Sequence, residues 1–291
     1  MSTPTTSTQA HETAPTRFVE ASGTRFAYRR FGGGTGLPML FCQHFTGTMD
    51  HWDPIVTNAL AQEREVILFD NQGVGSTSGN TPDNIQAMAT DALHFIDSLG
   101  LKRIDLLGFS LGGMVAQQIV LDRPTLVRYL ILAGTAPEGG ERIDIGTVPP
   151  SSEVLSDKSL SHLDIELRLF FAPTETSQAA GRAFWDRKHW RKADRDPVPG
   201  PEVAKAQRIA IKSWGESKGE RYARLKEIEQ PTLVFNGIND AMIPTINSYI
   251  LAQHLPDARL ILYPDSGHGA LFQYPHQFCA EVKLFLADRS H

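Results

Sequence analysis

Two hydrophobic rhythms alternate along this chain. Short apolar runs at 38–43, Glu65–Phe69, 103–108, Val127–Ala133, 232–236 and 259–263 have the length of buried strands. Between them, 84–99 sets Ile85, Met88, Ala92, Phe95, Ile96 and Leu99 at helical spacing and closes at Gly100. Leu111–Asp122, stopped near Pro124, and stretches around Ile246–His254 and 276–287 continue the helical set. Ahead of them, Arg17–Ala21 and 24–28 flank Ser22-Gly23 as a hairpin. This order predicts an α/β fold: a doubly wound, mostly parallel sheet flanked by helices.

The rhythm breaks between Pro137 and Ile228. No β-run of any length occurs there, and helical stretches appear near 161–171, 177–191 and 201–214. Pro149-Pro150 and the segment from Pro197 to Pro201 punctuate them. The pattern divides the chain into a disordered tail at 1–15, a core at 16–136 and 229–291, and a helical cap insertion at 137–228. No internal repeat is visible.

Composition narrows the class. The chain has 291 residues, 41% of them hydrophobic, which is enough for a large buried core. Its net charge is −5, and its basic residues cluster only at Arg187-Lys188 and Arg191-Lys192, so nucleic acid is not an expected partner. No apolar run approaches the roughly 18 residues of a membrane span. The Ser/Thr-rich stretch from Met1 to Pro15 has no apolar signal region. Cys42 and Cys279 form no spacing pattern, which points to structural thiols in a cytoplasmic protein rather than a disulfide or metal site. A monomer or homodimer is equally compatible with these features.

The chemistry centres on Gly108-Phe109-Ser110-Leu111-Gly112. The strand 103–108 leads into it and a helix leaves it, the context in which G-x-S-x-G is a nucleophile elbow. The tight turn excludes side chains at its flanks, and the helix N-terminus favours developing negative charge. A serine hydroxyl needs a base, and the base needs an orienting group. In folds of this topology such groups converge from the carboxyl ends of strands. His268 follows a strand in the loop Ser266-Gly267-His268-Gly269, with glycine on both sides to place the ring. Asp240 follows the strand 232–236 and is the preferred acid, although Asn-Asp pairs also form turns. Glu138 is a rival acid, and Asp265 is disfavoured by its closeness to His268.

The order Ser110, Asp240, His268 resembles the α/β-hydrolase fold family, over about residues 17–288. Gly-His-Gly and the spacing from Asp240 to Pro244 are typical of its small bacterial esterase and haloperoxidase-like members. Asp70-Asn71-Gln72-Gly73-Val74-Gly75-Ser76 is similar to the family's D-x-R-G-x-G-x-S loop, departing at Gln72, and is read as structural. A second departure lies after the strand 38–43, where the family carries His-Gly-x. Aligned on Trp52-Asp53, Gln43 takes the place of the His, His44 that of the Gly, and Phe45 that of the residue whose N–H helps hold an oxyanion. Leu111 would supply the second N–H. A side chain at 44 requires a backbone that avoids positive φ. His44 either packs behind this loop or donates into the pocket; His51 and Trp52 are read as packing residues.

The resemblance implies a metal-free, cofactor-free serine hydrolase acting through an acyl-enzyme. Cap aromatics facing Ser110 would form an apolar pocket, with His44, Phe109, Phe170, Trp185, Trp214, Met242 and Leu271 as candidate lining residues. That predicts a small-to-medium apolar carboxylic ester or lactone as substrate. Three readings stay open beside it. Perhydrolase or haloperoxidase-type chemistry and carbon–carbon bond hydrolysis would use the same triad. A ligand-sensing protein on a hydrolase scaffold would keep the pocket with little turnover.

Overall fold

The computed structural model describes residues 9–144 and 151–288. Its centre is an eight-stranded sheet of β1 (Arg17–Ala21), β2 (Thr24–Gly32), β3 (Met39–Cys42), β4 (Glu65–Phe69), β5 (Ile104–Phe109), β6 (Val127–Ala133), β7 (Thr232–Gly237) and β8 (Ala258–Tyr263). The spatial order is β1-β2-β4-β3-β5-β6-β7-β8. β1, β2 and β4 pair antiparallel, and every pair from β4 to β8 is parallel. β3, β5 and β7 are buried along their whole length, which is why they read as unbroken apolar runs. β8 closes the sheet at one edge and is only partly covered.

Helices α1 (Pro54–Ala61), α2 (Ile85–Ser98) and α3 (Leu111–Asp122) connect the first parallel strands. α2 starts where the Asn84 side chain accepts the Ala87 N–H at 2.8 Å, and it ends before Gly100 at φ +69°. α1 escaped the sequence pattern because it is only eight residues long. Its start signals are nonetheless present: Asp53 accepts the Ile55 N–H at 2.9 Å, and Pro54 takes the first helical position. β2 runs four residues past the expected Tyr28, because its second half pairs with β4 through Gly32↔Glu65.

Between β6 and β7 the described residues form α4 (Ser151–Ser156), α5 (His162–Phe170), α6 (Glu175–Lys188) and α7 (Pro201–Gly215), with a 3-10 turn at Ala223–Glu227. Pro149-Pro150 lies outside the described residues. α8 (Ile246–His254), α9 (Ala270–Gln273) and α10 (Pro275–Ala287) complete the core. α6 is fixed to the core by Arg187, which makes a two-pronged contact with the buried Asp53 and donates to the Phe272 carbonyl. Lys188 pairs with Glu166 within the inserted helices. The two basic pairs seen in the sequence are therefore largely occupied inside the molecule.

The tail expected at 1–15 departs from the structure over its second half; residues 1–8 lie outside the described residues. His11 is buried, its Nδ1 3.0 Å from Thr57 Oγ1 and its N–H on Asn58 at 2.8 Å. Arg191 donates to the carbonyl of Ala14 at 2.8 Å. Polar side chains from two distant segments thus hold a stretch whose own composition has little apolar content. Both cysteines are free and buried, and burial pushes each thiol up to about 12. Among the described residues no helix is long and apolar enough to cross a membrane.

Burial, and then the nearby Arg29, Arg191 and Arg195, take the His11 imidazole down to about 3. The folded chain therefore binds fewer protons than the unfolded chain below the ordinary histidine range, and stability falls as pH falls through that window. Full displacement corresponds to roughly 5 kcal/mol. His11→Asn should flatten the acid side of the stability–pH curve. Between about pH 6.5 and 4 the parent should lose on the order of 5–10 °C more in Tm than the variant. Parallel Tm–pH curves would refute this role for His11.

Candidate active site

β5 delivers Ser110 at the carboxyl edge of the sheet, at φ 56° and ψ −121°, with α3 beginning at the next residue. A non-glycine residue holds that conformation only where its surroundings impose it. Here the Ser110 N–H donates to the Ala133 carbonyl at 2.9 Å. Its own carbonyl accepts from Gly113 N–H at 2.9 Å and Thr135 Oγ1 at 2.7 Å. The flanking glycines are needed for close approach. A Cβ on Gly108 would stand 2.4 Å from the Gly112 carbonyl oxygen, and one on Gly112 would stand 2.0 Å from that of Cys42.

His268 and Asp240 arrive from the ends of β8 and β7. His268 Nδ1 lies 2.8 Å from Asp240 Oδ2. The other carboxylate oxygen accepts the N–H groups of Met242 and Ile243, both at 2.9 Å. The carboxylate is thus held from three sides, and the imidazole carries its proton on Nδ1. His268 Nε2 is buried and has no hydrogen-bond partner among the described residues. The ring lies over Phe109 at 4.9 Å between centroids and meets the edge of Phe170 at 5.3 Å. A Cβ on Gly134, at φ +50°, would come within 3.2 Å of Nδ1. The rival acids are engaged elsewhere: Glu138 pairs with Arg224 at 2.6 Å, and Asp265 accepts from Thr174 and Thr176.

The segment after β3 is ordered by Gln43. Its Oε1 accepts the His44 N–H at 2.8 Å and its Nε2 donates to the Thr48 carbonyl at 2.7 Å. His44 does not have positive φ; Thr46 does, at 54°, with its N–H donating to Gln207 Oε1 at 2.6 Å. Among the described residues the N–H groups of Phe45 and Leu111 make no hydrogen bond.

Ser110 and His268 open on a cavity of about 530 Å³. Of the expected lining residues, His44, Phe170, Trp185 and Met242 are on its wall, together with Phe45. Three others are not. Phe109 is fully buried beneath the His268 ring. Leu271 is buried in α9. Trp214 donates Nε1–H to the Ala136 carbonyl at 3.1 Å and borders a separate small cleft. The wall is also more polar than the cap aromatics suggested: Asp50, Glu166, Lys188, His189, Arg195 and Asp196 all reach it. His51, expected to be a packing residue, lines it too, whereas Trp52 is buried edge-on to Phe41 at 5.0 Å. The signal for His51 was its place three residues after Thr48, whose N–H its Nδ1 accepts at 2.9 Å. Asp50 comes from the same turn as His51, and the others come from α5, α6 and the segment between α6 and α7, whose docking no local pattern encodes. Among the described residues no cluster of His, Cys, Asp and Glu could hold a metal ion.

A strand–serine–helix elbow facing an imidazole–carboxylate pair across the carboxyl edge of a parallel sheet defines a class of hydrolytic enzymes. Residues 38–275 match the alpha/beta hydrolase fold family, and the chain belongs to it. A solved alpha/beta hydrolase fold protein from Chitinophaga pinensis aligns at a TM-score of 0.90 and 41% identity, over 96% of this chain and 100% of that one. A Rhizobium rhizogenes protein provisionally named carbamate hydrolase RutD is 30% identical over 251 residues, 84% of this chain and 90% of that protein. The pimeloyl-(acyl-carrier protein) methyl ester esterase of Nitrosomonas europaea is 30% identical over 233 residues, 78% and 86% of the two chains. A hydrolytic function follows at this level.

The elbow's packing gives a contrast between two glycines. Gly112→Ala should abolish soluble folding or lower Tm by well over 10 °C, since backbone on both sides must shift. Gly100→Ala, at φ +69° with nothing within 4 Å of the new Cβ, should cost only about 1–2 kcal/mol. Thermal melts of the two variants check this, and equal effects would refute the close-approach argument.

Proposed function

We propose that this protein is a serine hydrolase that cleaves a small-to-medium carboxylic ester or lactone through an acyl-enzyme. One observation carries the reading. A buried imidazole has its Nδ1 on a fixed carboxylate and its Nε2 unpartnered, on the wall of the cavity that also holds the elbow serine. Ser110 is the nucleophile, His268 the base and Asp240 the orienter. Asp240 keeps the His268 proton on Nδ1 and stabilises the imidazolium without taking the proton itself.

Ser110 Oγ attacks the acyl carbon as His268 Nε2 takes its proton. The oxyanion that forms is held by the N–H groups of Phe45 and Leu111, which have no other partner to give up among the described residues. Preorganised donors of this kind are worth several kcal/mol in such a step. His268 then returns the proton to the leaving oxygen and afterwards activates the water that releases the acyl group. The N-terminus of α3 adds a favourable field at the same atoms.

The relative named as a methyl ester esterase supports an ester as the bond cleaved. A carbamate, the substrate in the name of another relative, presents the same kind of acyl carbon. The apolar part of the wall, Phe170, Leu169, Ile165 and Trp185, suits the hydrocarbon of an acyl or alcohol group.

Ser110→Ala should lower kcat/KM for p-nitrophenyl butyrate by at least about 10³-fold, and Asp240→Asn by roughly 10³–10⁴-fold, both with unchanged circular dichroism. Near-parental turnover by a pure, folded Ser110→Ala protein would overturn the reading. Because the base acts unprotonated, kcat/KM should also decline on the acid side, and a profile that stays flat down to the acid limit of the folded state would remove His268 from that role.

A further inference from the structure

Several charged groups on the cavity wall are paired, with one another or with the core. Lys188 pairs with Glu166, Asp50 with Arg29 at 2.5 Å, and Asp196 with Arg29 at 3.1 Å. Four imidazoles on the wall, those of His44, His51, His162 and His189, are unused by the mechanism, and two of them meet each other. One is His44, at the position where the family pattern carries glycine. The other is His51. Both line the cavity with Ser110 and His268, and their rings meet edge-on at 5.7 Å and 79°.

Their hydrogen bonds set their tautomers. His44 Nδ1 lies 2.8 Å from the Phe45 carbonyl oxygen. A carbonyl only accepts, so Nδ1 carries the proton and Nε2 presents a lone pair. His51 has the opposite arrangement. Its Nδ1 accepts the Thr48 N–H at 2.9 Å, so its proton sits on Nε2. Neither Nε2 has a partner among the described residues, and neither is sealed from the cavity.

Packing holds both choices. The His44 ring is wedged edge-on between Phe109 and Phe170, each at 5.4 Å, and a Cβ on Gly47 would stand 3.0 Å from its Cε1. Burial takes His44 down to about 3 and holds His51 well below the usual histidine range, so both rings are neutral near neutral pH. The wall therefore offers one fixed acceptor and one fixed donor on adjacent rings, the acceptor one residue from the expected oxyanion donor. A substrate carboxylate would face the His44 lone pair, and an ammonium group would face the His51 N–H. A neutral group that both donates and accepts satisfies both.

We propose that His44 and His51 together read a neutral hydroxyl or amide substituent close to the acyl carbon of the substrate. They are specificity-determining residues, and the proposal rests on the serine-hydrolase reading for the position of that carbon. The substrate is then an ester or lactone with a polar substituent beside its acyl carbon, and the apolar wall takes the rest of the molecule.

The test compares ethyl hexanoate with ethyl 2-hydroxyhexanoate, ethyl 3-hydroxyhexanoate and ethyl 2-acetamidohexanoate. At least one substituted ester should exceed the plain one in kcat/KM by about tenfold, the value of one net hydrogen bond. A preference confined to the hydroxy esters identifies a hydroxyl, and one confined to the acetamido ester an amide. His44→Phe and His51→Phe, which keep an aromatic ring, should each bring that ratio near one. His51→Gln, whose amide N–H can stand in for Nε2–H, should retain much of it. Binding of the same four compounds to Ser110→Ala protein, followed by ligand-observed NMR, should show the same order without turnover. No preference in the parent, or a preference unchanged in both Phe variants, overturns the proposal. If the parent hydrolyses none of the esters, the serine-hydrolase reading fails, and the binding order alone decides whether His44 and His51 read the substituent.

Discussion

The closeness of α3 to the end of β3 is the constraint on which the site depends. With no side chain at Gly112, the helix start comes within 2.0 Å, measured from a would-be Cβ, of the Cys42 carbonyl oxygen. With none at Gly108, β5 can fold back against Gly112. Between these contacts Ser110 has little choice but its left-handed backbone, a conformation that costs a non-glycine residue on the order of 1–3 kcal/mol. What offsets it is the burial of α3, in which every residue from Leu111 to Val120 is covered. Burial along these ten residues therefore holds one serine at the sheet edge and leaves the next N–H without a partner among the described residues.

A second set of interactions joins the cavity wall to the core. Arg29 leaves β2 fully buried and reaches Thr16, Asp50, the Asp194 carbonyl and Asp196. Asp50 accepts in turn the Asp196 N–H at 2.8 Å. Three segments far apart in sequence thus meet on one guanidinium. Such buried charges are weak evidence for net stability, but breaking one partner leaves the others uncompensated, so they hold one arrangement firmly. Asp70 extends the same logic. It accepts from Met49 N–H at 2.9 Å and Ser76 N–H at 3.2 Å, and burial with the neighbouring Asp196 charge holds it well above the usual carboxylate range. The loop around Asp70 therefore supports the turn that carries His51. Gln72, where the family has Arg, faces away, accepting from Thr24 Oγ1 and donating to the Asn80 carbonyl.

How much of this was legible in sequence depends on the range over which each feature is encoded. The central parallel strands were legible because a strand covered on both faces must be apolar throughout. That Ser110, Asp240 and His268 would converge was legible because each follows a strand, and one edge of a parallel sheet collects the strand ends. α1 was not, because eight residues with mixed polarity give too little periodicity. The cavity wall was not, because it depends on which face of α5 and α6 meets the core. Arg187 on Asp53 fixes α6 across 134 positions of chain, a spacing no local pattern reveals. Trp214 shows the same from the other side: its ring could have faced the serine, but its indole N–H found the Ala136 carbonyl.

The residue at 44 joins these two scales. A histidine in place of glycine needs ordinary φ, and the chain meets that need by moving the left-handed residue to Thr46 and anchoring it on Gln207. Gln43 makes the shift possible, since one amide side chain can both accept from the His44 N–H and donate to the Thr48 carbonyl. The loop is thereby closed on itself, and the Phe45 N–H is left with no partner among the described residues. A donor meant to meet a developing negative charge works best when it is already oriented and already unpaired. The departure at 43 and 44 is therefore compatible with the role we propose for the Phe45 N–H. It adds a neutral imidazole of fixed tautomer beside it, where a glycine would have offered only space.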